Sequence, residues 1–82
     1  MPKTARFPIK AEKLAHLINN ELRQYEACRG HELLTVERRA APGTDGCNWM
    51  PGPLSGVRNE SPYGLFVFAR IIRDFRLRYN VA

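Results

Sequence analysis

Apolar side chains recur at helical spacing in the last third of the chain, over PYGLFVFARIIRDFRLRY from Pro62 to Tyr79. This spacing predicts an amphipathic α-helix, because residues three, four or seven positions apart lie on the same side of a helix. Ser61 and Pro62 suit its beginning, since serine is a common N-cap and proline is tolerated in the first turn. The face predicted to be buried consists of Leu65, Phe68, Ile71, Ile72, Phe75 and Tyr79.

The end of this segment allows a second interpretation. Residues Phe75–Val81 alternate strictly between apolar and polar side chains, which is also the pattern of a half-buried β-strand. The helical interpretation is preferred, because these residues continue the periodicity that begins at Leu65.

A first helix is predicted from about Ile9 to Cys28. Its apolar face carries Ala11, Leu14, Leu17, Ile18, Leu22 and Tyr25. Gly30 is well placed to end this helix, since glycine is common just beyond a helical C-terminus. Asn19 and Asn20 are its weak point, because asparagine disfavours the helix interior.

Between the two helices the pattern becomes extended. A strand is predicted over Glu32–Arg38, with Leu34 and Val36 on the same side. Residues 40–46 are rich in turn formers and predict a hairpin loop.

The returning strand is predicted over Cys47–Met50, with Cys47 and Trp49 facing the same way. Pro51 ends this strand or places it at an edge, because proline cannot donate a backbone hydrogen bond to a neighbouring strand. Two strands alone are marginally stable, so a third strand from residues 54–58, or pairing across a dimer, would complete the sheet.

Together these elements predict an α+β fold in the order α-β-β-α, with two amphipathic helices packed on one face of a small antiparallel sheet. Eighty-two residues correspond to a single domain, 1–82, in which residues 1–8 are expected to form a flexible basic arm. The predicted core consists of Leu14, Ile18, Leu22, Leu34, Val36, Trp49, Phe68, Ile72 and Phe75.

In this arrangement the chain resembles a group of small uncharacterised bacterial α+β proteins of helix-hairpin-helix type. The residues that carry the resemblance are the helix from Leu14 to Leu22, the Asn48-Trp49 pair in the second predicted strand, and Arg78-Tyr79 at the end of the closing helix. The resemblance implies a fold and brings no activity with it.

The chain has a net charge of +5, and its basic residues concentrate at the two ends. If those ends meet in space, they form one basic surface suited to nucleic acid or to an acidic partner. The alternative, which we favour slightly, is that these charges serve solubility and stabilise the end of a helix. The candidate binding residues on the last helix are Arg70, Arg73, Arg76 and Arg78.

The beginning of the last helix is apolar on every side, from Leu65 to Ala69. A helical segment of this kind is buried on every side, so another chain or the N-terminal arm is expected to cover it. We place Phe66, Val67 and Leu77 in an interface with a protein partner, most simply a second copy in a homo-oligomer.

Metal binding and catalysis find little support. Cys28 and His31 are half of a zinc knuckle, but Cys47 and His16 do not supply the other half. Cys47 with His31 matches no nucleophilic signature, and the acidic residues show no paired arrangement. We therefore expect no metal, no cofactor and no enzyme activity.

These considerations favour a non-enzymatic interaction module that associates with a protein or with itself. Weak nucleic-acid binding that ignores base sequence is the alternative. No stretch of the chain resembles a membrane span or a secretory signal, so we expect a cytoplasmic protein with reduced thiols and no membrane partner.

Overall fold

Two α-helices and six short strands make up the part of the chain that the computed structural model describes, residues 6–28, 30–55 and 62–82. A 3-10 turn, Glu26–Cys28, follows the first helix. In chain order the elements are β1 Phe7–Ile9, α1 Ala11–Leu22, β2 Glu32–Leu33, β3 Val36–Arg38, β4 Trp49–Pro51, β5 Leu54–Ser55, α2 Pro62–Arg78 and β6 Tyr79–Val81. The predicted α+β class is confirmed at this level.

Within the described residues the strands pair two at a time. β3 and β4 form the predicted antiparallel hairpin, β2 pairs antiparallel with β5, and β1 pairs parallel with β6. The α-β-β-α order is not confirmed, since strands also lie before α1 and after α2. No strand here exceeds three residues, and each pair forms a separate two-stranded sheet.

Helix α1 is shorter than predicted at both ends. Ile9 belongs to β1, and after Leu22 the backbone tightens, because Gln24 N–H donates to the Glu21 carbonyl three residues before it. Leu14, Ile18 and Leu22 are fully buried as predicted, whereas Tyr25, beyond the helix, is exposed. Gly30 adopts a φ of +86° after the 3-10 turn and not at the end of a long helix.

The buried face of α2 differs from the predicted one. Ile71, Ile72 and Phe75 are buried as expected, but Leu65 is 42% exposed and Phe68 is only half-buried. Val67, which we had placed in an intermolecular interface, is only 7% exposed and belongs to the core. The 3-10 turn packs on this side of α2, where the Cys28 thiol lies 3.7 Å from the Gly64 carbonyl oxygen and can donate to it.

The last three residues of the predicted helix region form a strand. β6 begins at Tyr79, so the strand interpretation is correct for Tyr79–Val81 and the helical one is wrong there. β6 runs parallel to β1, with Phe7 opposite Tyr79 and Ile9 opposite Val81. Phe7 and Pro8, part of the expected flexible arm, are therefore held in a strand pair.

The alternation predicted over Glu32–Arg38 is interrupted. Leu33 is buried and Leu34 is 59% exposed, so the prediction of Leu34 in the core is wrong. The chain leaves β2 at Leu34, whose N–H donates to the Pro53 carbonyl, and resumes as β3 at Val36. Val36 is buried, and both Cys47 and Trp49 are fully buried on the same side, as predicted.

Beyond β4, the backbone of Gly52 still pairs closely with that of Thr35, the residue before β3. Gly52 N–H donates to the Thr35 carbonyl at 2.8 Å. A Cβ at Gly52 would lie 2.7 Å from that carbonyl oxygen, so only glycine fits without a shift of the backbone. Leu54 and Ser55 then form β5, within the region 54–58 where we predicted a third strand; residues 56–58 lie outside the described residues.

Two asparagine side chains act as short substitutes for strand neighbours. The Asn19 amide accepts from Leu33 N–H at 2.7 Å and donates to the Leu33 carbonyl at 2.9 Å. In the same way, Asn48 accepts from Val81 N–H at 2.8 Å and donates to the Val81 carbonyl at 2.9 Å. Each amide thus satisfies both backbone groups of one buried residue, which would otherwise be costly to leave unpaired.

Candidate interaction surface

The solvent-facing side of α2 carries a stripe of five exposed side chains at helical spacing. We call Tyr63, Phe66, Arg70, Arg73 and Leu77 the outer stripe. It lies opposite the buried side, which includes Val67, Ile71 and Phe75. The stripe is aromatic at its beginning, cationic in its middle and aliphatic at its end, and a groove runs along each side of it.

The first groove runs along α2 from Tyr63 to Arg78, beside Glu21 and Tyr25 at and after the end of α1. Its volume is about 260 Å³. Aromatic rings of Tyr25, Tyr63 and Phe66 line it, and Glu21 and Asp74 add carboxylates. We call these three rings the aromatic patch. An exposed apolar cluster with a charged rim is typical of protein contact sites.

The second groove lies on the other side of α2, against β4, and has a volume of about 430 Å³. Its apolar lining comes from Met50 and Pro51 of β4 and from Phe68, Ala69, Ile72 and Leu77 of α2. Charged side chains of Asp45, Arg73 and Arg76 stand at its rim. We call this the α2–β4 groove.

The four arginines proposed for binding fall into two classes. Arg76 is largely buried, donates to the Trp49 carbonyl at 3.2 Å and lies 3.4 Å from the Asp45 carboxylate. Arg78 stacks 4.6 Å from the centre of the Phe75 ring and donates to the Asp74 carbonyl. Arg70 and Arg73 are exposed and make no hydrogen bond or ion pair within the described part of the chain.

The two basic ends of the chain do meet, but the contact between them occupies the guanidinium group of Arg6. Arg6 donates from Nε to the Arg76 carbonyl at 2.6 Å, in the last turn of α2. Carbonyls in that turn have no partner within the helix, and cations are favourable beside them. Arg6 is therefore a C-terminal cap of α2. Lys3, the basic residue that precedes Arg6 at this end of the chain, lies outside the described residues.

Asp45 links the hairpin loop to this end of α2. Its carboxylate accepts from Cys47 N–H at 3.0 Å, and this hydrogen bond, aided by the nearby Arg76 and Arg6, lowers the pKa of Asp45 below its ordinary value. The carboxylate therefore stays ionised at neutral pH. Since Arg76 balances it, Asp45 adds no net negative charge to the rim of the α2–β4 groove.

Neither cysteine lines either groove, and the two thiols are buried at separate places. Cys28 faces the Gly64 carbonyl, while Cys47 lies 3.6 Å from the Trp49 carbonyl. Burial raises the pKa of the Cys28 thiol, which disfavours the reactive thiolate. Across residues 6–28, 30–55 and 62–82, no three His, Cys, Asp or Glu side chains come together as a metal site would require.

Phe66 and the arginines were predicted from the sequence as candidate contact residues, whereas neither groove was predicted. Tyr63 lies three positions before Phe66, so their shared helical side was available as a signal. Tyr25 and Met50 come from other elements, and only the folded chain brings them beside α2.

Neither described helix combines the length and the apolar character needed to cross a membrane. Comparison of the chain with models of known protein families, with curated proteins and with solved structures gave no match. The resemblance to small bacterial helix-hairpin-helix proteins therefore stays a prediction, and function must be argued from the surface itself.

The division of the arginines predicts different effects on stability. Arg76→Ala removes the charged donor of a buried carbonyl, so it should lower the free energy of unfolding by about 1–3 kcal/mol. The matched change Arg73→Ala should alter it by less than about 0.5 kcal/mol, because Arg73 is a surface residue without described partners. Urea unfolding followed by Trp49 fluorescence measures both, and equal effects would contradict the division.

Proposed function

We propose that this protein is a non-enzymatic interaction module that self-associates through the aromatic patch at the beginning of α2. The observation that carries the proposal is the exposure of the three rings that form this patch. Tyr63 is 64%, Phe66 58% and Tyr25 40% exposed. Removing these side chains from water is favourable by roughly 25 cal/mol for each Å² of apolar surface buried.

The strand edges support a helical interface over one made by strand addition. Gly52 N–H donates to the Thr35 carbonyl on β3's side of the hairpin, so Pro51, the residue before, directs its backbone away from β3. Proline offers no N–H there. In β1, Ile9 accepts from Ala82 N–H, so Pro8 likewise directs its backbone outward from β6. Both outward edges thus lack a donor that an added strand would need.

The order of charges along the outer stripe favours one helix-pair geometry. Leu77 follows Phe66 by eleven positions, or about 16 Å along the helix axis. An antiparallel pair joining Phe66 to Leu77 of a second copy would bring Arg70 and Arg73 of both copies to its centre. An antiparallel pair that places Phe66 opposite Tyr63 of the second copy avoids that repulsion, because Arg70 and Arg73 of each copy then lie outside the contact. Leu77 then lies beyond the contact.

Such a contact is small. Stable interfaces bury about 1,200–2,000 Å² in total, and one helix pair with a few flanking rings buries less. We therefore expect reversible association with a dissociation constant of roughly 10–30 μM.

The two apolar ends of the outer stripe provide a matched pair of variants. At a few hundred micromolar, roughly ten or more times that dissociation constant, sedimentation equilibrium should report about twice the 9.4 kDa chain mass. Phe66→Lys should give a folded monomer, because it places a charge in the contact, whereas Leu77→Lys should leave the dimer intact. Circular dichroism checks that both variants fold. A monomeric wild-type chain, or equal disruption by both variants, would refute this interface.

Nucleic-acid binding is the alternative. What favours it is that the guanidinium groups of Arg70 and Arg73 make no hydrogen bond or ion pair with the residues that the structure describes. Four phosphate contacts would give a slope of log K against log salt near −3.6, at about −0.9 per contact. Because Arg76 and Arg78 are held within the chain, we expect a slope of about −1.8, from two contacts. Titration of a labelled duplex at several salt concentrations measures it, and absence of binding at low salt would exclude this function.

A further inference from the structure

We propose that the α2–β4 groove binds an amphipathic helix of a partner protein, with a carboxylate of that helix on Arg73. This site lies on a different side of α2 from the aromatic patch. It therefore goes beyond self-association and does not depend on it.

The lining of the groove suits apolar anchors from a helix. Phe68 and Ile72 line it from α2, while Met50 and Leu77 are exposed beside them at 40% and 50%. A helix presents side chains at i, i+3, i+4 and i+7 as a row that such a groove accepts. Met50 adds adaptability, because its unbranched, polarizable side chain fits irregular surfaces.

The neighbouring strand cannot recognise an extended segment instead. β4 forms the wall of the groove, but Pro51 has no N–H to offer, and the Trp49 carbonyl already accepts from Arg76 Nε. A bound strand would thus find neither a free donor at Pro51 nor a free carbonyl at Trp49. A ligand in this groove must therefore be bound through its side chains, as an amphipathic helix in a groove is.

The charge at the rim selects an acidic helix. Arg76 and Asp45 balance each other at 3.4 Å, which leaves Arg73 as the groove residue whose charge has no counter-ion within the described part of the chain. An arginine without a partner favours a carboxylate placed beside it. A second copy of this chain does not supply such a helix, since α1 buries its apolar face in the core and the exposed stripe of α2 carries arginines in place of carboxylates.

The test uses a designed peptide as the probe. It is a fluorescein-labelled helical peptide of about 16 residues, with leucines at i, i+3, i+7 and i+10 and glutamates beside them. Its control has each glutamate replaced by lysine. In fluorescence anisotropy at low salt, the glutamate peptide should bind at least about tenfold more tightly than the lysine peptide.

Charge reversal on α2 locates the binding. Arg73→Glu should reverse the preference, so that the lysine peptide binds more tightly by a similar factor. Arg70→Glu, the matched change on the side of the first groove, should leave the preference for the glutamate peptide unchanged. Phe66→Lys should also leave it unchanged, which separates failure of self-association from failure of this site.

Three results would overturn the proposal. One is equal affinity for the two peptides, and another is an equal effect of Arg70→Glu and Arg73→Glu. The third is loss of duplex DNA binding in Arg73→Glu when neither peptide binds the wild-type chain, which would assign Arg73 to nucleic acid.

Discussion

The pairing of the Asn48 side chain with the backbone of Val81 is the constraint on which the rest of the structure depends. It holds β6 from one side while β1 pairs with β6 from the other. The indole of Trp49 reinforces it by donating to the Tyr79 carbonyl at 2.9 Å. Since β6 follows α2 without a loop, fixing β6 also fixes the end of α2 against the hairpin.

By fixing the end of α2, this pairing also determines which sides of the helix face solvent and form the candidate surface. Trp49 donates to Tyr79 after the helix and accepts from Arg76 within its last turn. At the other end, Val67 and Cys28 lie buried together in the core. With both ends held, the rotation of α2 is determined, and the outer stripe and its two grooves take their positions from it.

The sequence allowed some elements to be predicted because their determinants are local. Leu14, Ile18 and Leu22 follow one helical period with polar residues between them, so the buried face of α1 was predictable. The beginning of α2 was not, because an apolar run on every side of a helix does not say which side is buried. Periodicity alone therefore could not distinguish Val67 from Leu65.

Other features depend on partners distant in the sequence. Tyr79 leaves the helix because β1, near the start of the chain, pairs with it. Leu33 replaces Leu34 in the core because the strand is interrupted, and Asn19 satisfies Leu33 from within α1. The arginines of α2 were predictable as a basic group. That Arg76 is the one held by Trp49 and Asp45 could not be predicted, because only folding brings these two residues close to it.

The most direct test of this account is the free energy of unfolding of Asn48→Ala, measured by urea titration with Trp49 fluorescence. The change leaves the buried N–H and carbonyl of Val81 unpaired, so we predict a loss of about 2–4 kcal/mol. Asn20→Ala, an exposed asparagine of α1, is the control and should change stability by less than about 0.5 kcal/mol. A stability of Asn48→Ala indistinguishable from that of Asn20→Ala would contradict the central role of this pairing.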